Sequence, residues 1–262
     1  MLREKSRRVF WRYWYPYLTG LIKDSPLTFL NYGYIDLRPK AQPILLQPGD
    51  EPNRLCIQLY HHVAGALDLT GLTVMELSCG HGGGASYIKR YLNPKSYLAV
   101  DRNPKAIEFC RQHYSIEDLS FTQGDAEALQ FDDQTFDVII NVEASHCYGN
   151  MAHFLEEVAR ILRPGGYFLF ADFRSALEQE ALDREVAQSG LEVGKKENIT
   201  PNVSKAMEAN NEQKLDLIEQ LVPRILHKFV RIFAAVKGTY IFEGFKSGDM
   251  FYLSYVLRKP LA

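Results

Sequence analysis

The sequence predicts an α/β fold: a doubly wound, mostly parallel sheet that ends in an antiparallel C-terminal strand and carries helical caps. Three observations carry this expectation. From residue 73 onward, short β-branched and aromatic runs alternate with stretches whose apolar residues recur at helical spacing. A glycine-rich turn, "SCGHGGGAS", follows the first of these runs. Acidic residues stand at the ends of successive runs, where open α/β sheets bind their ligands. With 262 residues, 46% hydrophobic and 24% charged, the chain is long enough for one large domain with an appended cap.

In order, "LYHHVAGAL" is a helix before the first strand, with His61 and His62 in surface or packing roles. "TVMEL" (73–77), "SYLAV" (96–100), "LSFT" (119–122), "FDVIINV" (136–142) and "YFLFADF" (167–173) read as strands, the last set off by the turn "RPGG". Residues 84–91, 104–114, 151–163 and about 175–189 read as the intervening helices, with Pro104 suited to a first helical turn. "LEVGKKENIT" (191–200) is a sixth strand and "MFYLSYVLRK" (250–259) the last. Between them, 201–235 is too long for an ordinary connection. Its apolar positions, among them Leu215, Ile218, Leu221, Ile225 and Phe229, suit one long helical stretch packed as a cap.

A net charge of −2 and a pI near 6.4 give no global positive field for nucleic acid, and no Pro-Cys nucleophile or N-P-P-Y-like motif appears. Cys56, Cys79, Cys110 and Cys147 are far apart, so neither a disulfide framework nor a metal site is expected, and reduced thiols in the cytoplasm are the default. No apolar run approaches the roughly 20 residues that span a bilayer. The start is basic and aromatic, with Arg3, Lys5, Arg7, Arg8 and Arg12 around Phe10, Trp11, Trp14 and Tyr15. It reads as a helix covering the core, with a substrate cap or a peripheral membrane contact as alternatives.

Glu76 closes the first strand, Gly80, Gly82, Gly83 and Gly84 form the turn after it, Asp101 closes the second strand, and Asp125 follows the third. "GHGGGA" also fits the dinucleotide fingerprint, which keeps an NAD-dependent oxidoreductase open. A dinucleotide, however, brings an anionic pyrophosphate to the glycine turn, whereas S-adenosylmethionine brings a cation, a ribose and adenine. Three carboxylates favour the second ligand by electrostatic complementarity. Asp101 can take both ribose hydroxyls and Asp125 the adenine amine. Ser78, Cys79, Arg102, Ala126 and Asn141 complete the expected cofactor pocket with Glu76, Gly80 and Gly82.

At these residues the chain resembles the class I S-adenosylmethionine-dependent methyltransferases, whose Rossmann-like sheet the resemblance implies. Ser78 stands where that family's loop usually has its first glycine. "FWRYWYP", "DEPNR", "LYHH", "SCGHGGGASY", "GDAEALQFDDQTFD", "NVEASHCY" and "RPGGYF" together are similar to the phthiotriol and phenolphthiotriol dimycocerosates methyltransferases, over most of residues 10–175. Those enzymes methylate a hydroxyl of a long-chain lipid diol. The resemblance implies S-adenosylmethionine as cofactor and a lipid-like or polyketide-like hydroxylated acceptor.

In that fold the loop after strand four, "NVEASHCYGN", faces the methyl group, and His146 is its only histidine. An imidazole can take the proton of a hydroxyl acceptor at neutral pH, which makes His146 the expected general base. Glu143, Tyr148, Tyr13, Trp14 and Tyr32 are the expected acceptor contacts. The expected organisation is an N-terminal cap (1–52), a cofactor-binding core (53–200), a helical substrate cap (201–248) and a final core strand (249–262). A non-catalytic cofactor-binding or membrane-associated module is the reading from another class.

Overall fold

Seven strands, β1 (Thr73–Leu77), β2 (Ser96–Asp101), β3 (Leu119–Gln123), β4 (Phe136–Val142), β5 (Leu162–Ser175), β6 (Glu192–Asn198) and β7 (Met250–Arg258), form one sheet in the order β3-β2-β1-β4-β5-β7-β6. The structure, a computed structural model, describes residues 27–261. β1 pairs in parallel with both β2 and β4, so the strand order reverses between β1 and β4, where such sheets open a ligand crevice. β7 runs antiparallel to both β5 and β6, as the sequence predicts.

The helices follow their local signals. α1 (Arg54–Ala64) precedes the sheet and α2 (Gly83–Tyr91) leaves the glycine turn. α3 (Pro104–His113) begins with Pro104 under the Asn103 side chain, which accepts from Lys105 N. α4 (Met151–Ile161) is capped by Asn150, and α5 (Ala176–Gln188) by a reciprocal capping box between Ser175 and Glu178. Two buried clusters flank the sheet. Val74 joins Tyr60, Tyr87 and Tyr97 on one face, and Met75 and Leu77 join Phe154, Val158 and Phe168 on the other, as the two-residue period of a strand requires.

Two expectations change. "RPGG" lies inside β5: pairing with β4 jumps from Phe136↔Leu162 to Val138↔Tyr167, and Gly165 N donates to Lys259 O at 2.9 Å, so the turn becomes a bulge held by the end of the chain. The single stretch over 201–235 is broken into α6 (Thr200–Ala209), α7 (Asn211–Leu221) and α8 (His227–Phe233). Pro223 ends the second of these. It has no N–H to give, and Val222 before it is extended at ψ 133°. A further helix, α9 (Tyr240–Ser247), starts at the Thr239 cap and stops at Gly248, whose φ of +84° ends it.

Residues 27–50 hold no helix or strand and cross the molecule as a strap. Tyr34 N donates to Leu55 O at 2.9 Å, Ile35 N to Asn202 O at 3.3 Å, and Tyr32 OH to Phe233 O at 3.2 Å. The strap thereby joins α1 to the helices before β7.

Candidate functional site

Above the switch point lies a cavity of about 1610 Å³, walled by the loops after β1 to β4, by the strap, and by α8 and α9. Pockets for one small ligand measure roughly 300–1,000 Å³, so this one has room for a cofactor and an acceptor together.

The turn after β1 separates two jobs. Ser78 has a left-handed backbone (φ +61°), which turns the strand so that Ser78, Cys79 and Gly80 face the cavity. The later glycines face protein. A Cβ on Gly83 would stand 2.7 Å from Thr28 O and 2.8 Å from the Phe29 ring, and one on Gly84 would overlap the Tyr60 ring. Gly82 is not on the cavity wall either: a Cβ there would meet Cys110 Sγ and the Phe121 and Tyr114 rings at 2.9 Å. Much of this glycine run therefore serves close packing of α2, not approach to a ligand.

Glu76 also moves. Its side chain is fully buried beneath the turn, off the cavity wall, where Oε1 accepts from Tyr60 OH at 2.8 Å and Oε2 from Tyr97 OH at 3.0 Å. Burial outweighs the two tyrosine bonds and pushes its carboxyl up to about 7. Its position in the strand places it with Val74, on the α1 and α2 face, so it organises the turn from below.

Asp101 and Asp125 reach the cavity, with Arg102 and Ala126 beside them. Asp101 Oδ2 accepts from Gly80 N at 2.9 Å and Oδ1 from Asn103 N at 2.8 Å, yet burial still raises its carboxyl to about 6. Asp125 is partly open, with Arg102 Nε 3.6 Å away. Asn141 lies behind the wall: its amide donates to Leu77 O at 2.8 Å and to Tyr148 OH at 2.9 Å, and Oδ1 has no hydrogen-bond partner among the described residues. Tyr148 OH bonds with Ser78 Oγ at 2.5 Å, tying the loops after β1 and β4 together.

This donor set fits S-adenosylmethionine. Asp101 keeps acceptor capacity on both oxygens for a diol, Asp125 offers a carboxylate to an amine, and the cation at this end, Arg102, stands against Asp125.

At the other end stands His146. The fully buried Asp172, on β5, accepts from His146 Nδ1 at 2.8 Å and from its backbone N at 2.8 Å, and further from Ser145 Oγ at 2.7 Å and Phe173 N at 2.8 Å. Arg174 Nη1 stands 3.1 Å from the same carboxylate. Burial alone would raise the Asp172 carboxyl, but His146 and Arg174 hold it well below the usual range. Burial likewise pulls His146 down, and the Cys147 sulfur and Asp172 carboxylate more than offset it, raising the imidazole to about 10. The His146 ring lies on the cavity wall, its centroid 4.2 Å from that of Phe173.

Glu143, also left-handed at φ +52°, accepts from Tyr32 N at 3.0 Å and Tyr252 OH at 2.9 Å; burial pushes it up to about 7. It joins strap, loop and β7. Tyr32, Glu143 and Tyr148 all line the cavity, whereas Tyr13 and Trp14 fall outside the described residues. Asp172 was absent from the expected set. A lone acid inside the apolar run "YFLFADF" was its signal. Among the described residues no group of His, Cys, Asp and Glu could hold a metal ion.

Residues 68–229 match the family model described as a methyltransferase domain. The chain is 41% identical over 249 residues to the phthiotriol/phenolphthiotriol dimycocerosates methyltransferase of Mycobacterium tuberculosis, covering 95% of this chain and 92% of that one. It is 39% identical over 246 residues to a fatty-acid O-methyltransferase of Mycolicibacterium smegmatis, covering 94% and 88%. Among solved structures, geranyl diphosphate methyltransferase in complex with S-adenosylmethionine superposes with a TM-score of 0.64 at 16% identity, covering 89% of this chain and 99% of that one.

Proposed function

The chain belongs to the methyltransferase-domain family of S-adenosylmethionine-dependent enzymes, and from that premise we propose that it methylates an oxygen of a lipid-related acceptor, with a hydroxyl as the reacting group. The cofactor supplies an activated methyl group on a sulfonium. Asp101 and Asp125 would hold its ribose and adenine, beside the backbone from Ser78 to Gly80 on the same cavity wall. Tyr148, fixed by Ser78 and Asn141, and Glu143, fixed by Tyr32 and Tyr252, shape the space between cofactor and acceptor. Phe173, Ile232, Phe233 and Ile241 give that space an apolar wall, which suits an alkyl chain and keeps water from the reacting atoms.

The observation that carries the assignment is the Asp172–His146 pair, whose imidazole lies on the cavity wall. Asp172 fixes the imidazole through Nδ1 and sets the ring on the cavity wall, where it can exchange a proton with an acceptor. One feature favours a second acceptor. At neutral pH a His146 raised to about 10 carries a proton, and an imidazolium would hold an acceptor carboxylate, which needs no base. The name of the M. smegmatis relative agrees with that reading.

The test is a mass-spectrometric search for a gained methyl group on hydroxylated lipids and on free fatty acids, each incubated with the protein and S-adenosylmethionine. Methylation of nitrogen or carbon alone would overturn the oxygen assignment.

A further inference from the structure

The segment before α9 carries a surface that methyl transfer does not use. Residues 220–242 contain Arg224, His227, Lys228, Arg231 and Lys237 and no Asp or Glu, in a chain of net charge −2. Arg231 stands 3.7 Å from Glu219, while Arg224, Lys228 and Lys237 have no ion pair among the described residues. Exposed Ile225 (87%) and Tyr240 (70%) belong to the same segment.

The backbone behind this surface is anchored. Ala235 and Val236 are buried, Lys214 Nζ donates to Ala234 O at 3.0 Å, and His227 Nε2 bonds to Val222 O at 2.8 Å. The nearby carboxylates have local partners: Glu243 Oε1 accepts from Gly238 N at 3.2 Å, and Asp249 Oδ2 from Ser247 Oγ at 2.6 Å.

The same segment reaches the cavity. Phe229 and Tyr240 are among its lining residues, with Ile232, Phe233, Ile241 and Met250 making an apolar wall beside them. An alkyl acceptor entering from water must first leave its own aggregate or membrane, and each methylene lowers its free concentration about fourfold. A mouth set against a bilayer removes that step.

We propose that residues 224–240 dock the protein on an anionic lipid surface, with Arg224, Lys228 and Lys237 over the headgroups and Ile225 and Tyr240 in the interface, so that the acceptor passes from the bilayer into the cavity. The purpose of this contact rests on the lipid-acceptor reading; the surface itself does not. An acidic protein would pair the cations, but apolar and tyrosine side chains in the same segment match the layered polarity of a membrane interface.

The test is co-sedimentation of the full chain with vesicles of phosphatidylcholine alone or mixed with phosphatidylglycerol. The wild type binds the anionic vesicles more tightly, and less so as salt rises. The double substitution Arg224→Glu with Lys228→Glu weakens partitioning at least about tenfold, and Ile225→Ser weakens it several-fold. All three positions are exposed, so the thermal midpoint and turnover of a short soluble acceptor stay unchanged. Binding that ignores these substitutions, or that is lost only on removing residues 1–20, overturns the proposal. So does an absence of vesicle binding. Vesicle binding through this surface without methylation of any lipid would instead overturn the acceptor assignment and leave the docking surface standing.

Discussion

Asp172 holds His146 at two points, accepting from the ring Nδ1 with one carboxylate oxygen and from the backbone N–H with the other, each at 2.8 Å. Ring and loop are thus set by one side chain on β5. Asp172→Asn keeps the shape but not the charge. Turnover of a hydroxyl acceptor should fall about 100-fold, and the acid limb of its pH profile should move to lower pH as the imidazole loses its anionic neighbour. Calorimetry with S-adenosylmethionine checks that the cofactor site survives. An unchanged profile would remove Asp172 from the reaction.

His146→Ala should lower the maximal rate about 100-fold or more with cofactor affinity nearly intact. The sign of the wild-type pH dependence separates the two acceptors. If His146 must accept a proton, kcat/KM rises with pH from neutrality toward about 10, because the free imidazole is charged below that value. If an imidazolium binds a carboxylate, kcat/KM falls over the same range.

Asp101→Ala removes a buried carboxylate from the cavity and frees Gly80 N. The lost charge-assisted bonds should weaken S-adenosylmethionine by roughly 1.5–3 kcal/mol, about 10- to 150-fold in Kd. Isothermal titration measures it directly, and an unchanged Kd would detach Asp101 from the cofactor.

Ser78→Gly has two opposed effects. It relieves a left-handed non-glycine backbone, worth about 1 kcal/mol, and loses the bond to Tyr148, worth about the same. Urea unfolding should therefore find it within about 1 kcal/mol of the wild type. Ser78→Ala, which keeps the strain and loses the bond, should be destabilised by about 1–2 kcal/mol.

Stability should decline between pH 5 and 8. Glu76 and Asp101 have folded-state carboxyls raised to about 7 and 6, so their stabilising contribution is complete below their unfolded values of 4.5 and 3.8 and is lost as pH rises through the folded ones. Together this is about 3–4 kcal/mol across that range. Urea midpoints at the two pH values give the slope, and Glu76→Gln should flatten it.

The strands and their order of use were legible because short, largely apolar runs such as "TVMEL" and "FDVIINV" report burial on both faces of a central strand. What a sequence cannot display is a partner brought in from elsewhere. Glu76 reads as a cavity acid at a strand end, but its neighbours are Tyr60, 16 residues away, and Tyr97, 21 residues away. Gly84 reads as a cradle until Tyr60 is seen filling the place of its Cβ. His146 stood out as the only histidine of its loop, while Asp172, which positions it from 26 residues away, was hidden inside a strand. The breaks around Pro223 were local, and that proline was the signal.

The strap bears on how the chain assembles. Its bonds close over very long spans: 167 residues from Ile35 to Asn202, 201 from Tyr32 to Phe233, and 111 from Tyr32 to Glu143. Such closures cost chain entropy before they return any contact, so they belong late in folding. During synthesis, the segment made early must wait until nearly the whole chain has left the ribosome before its partners on the far side exist. Until then, the face of α1 that meets the strap through Tyr60 and His62 is open to chaperones, and late docking of residues 27–35 sets when the cavity gains that wall.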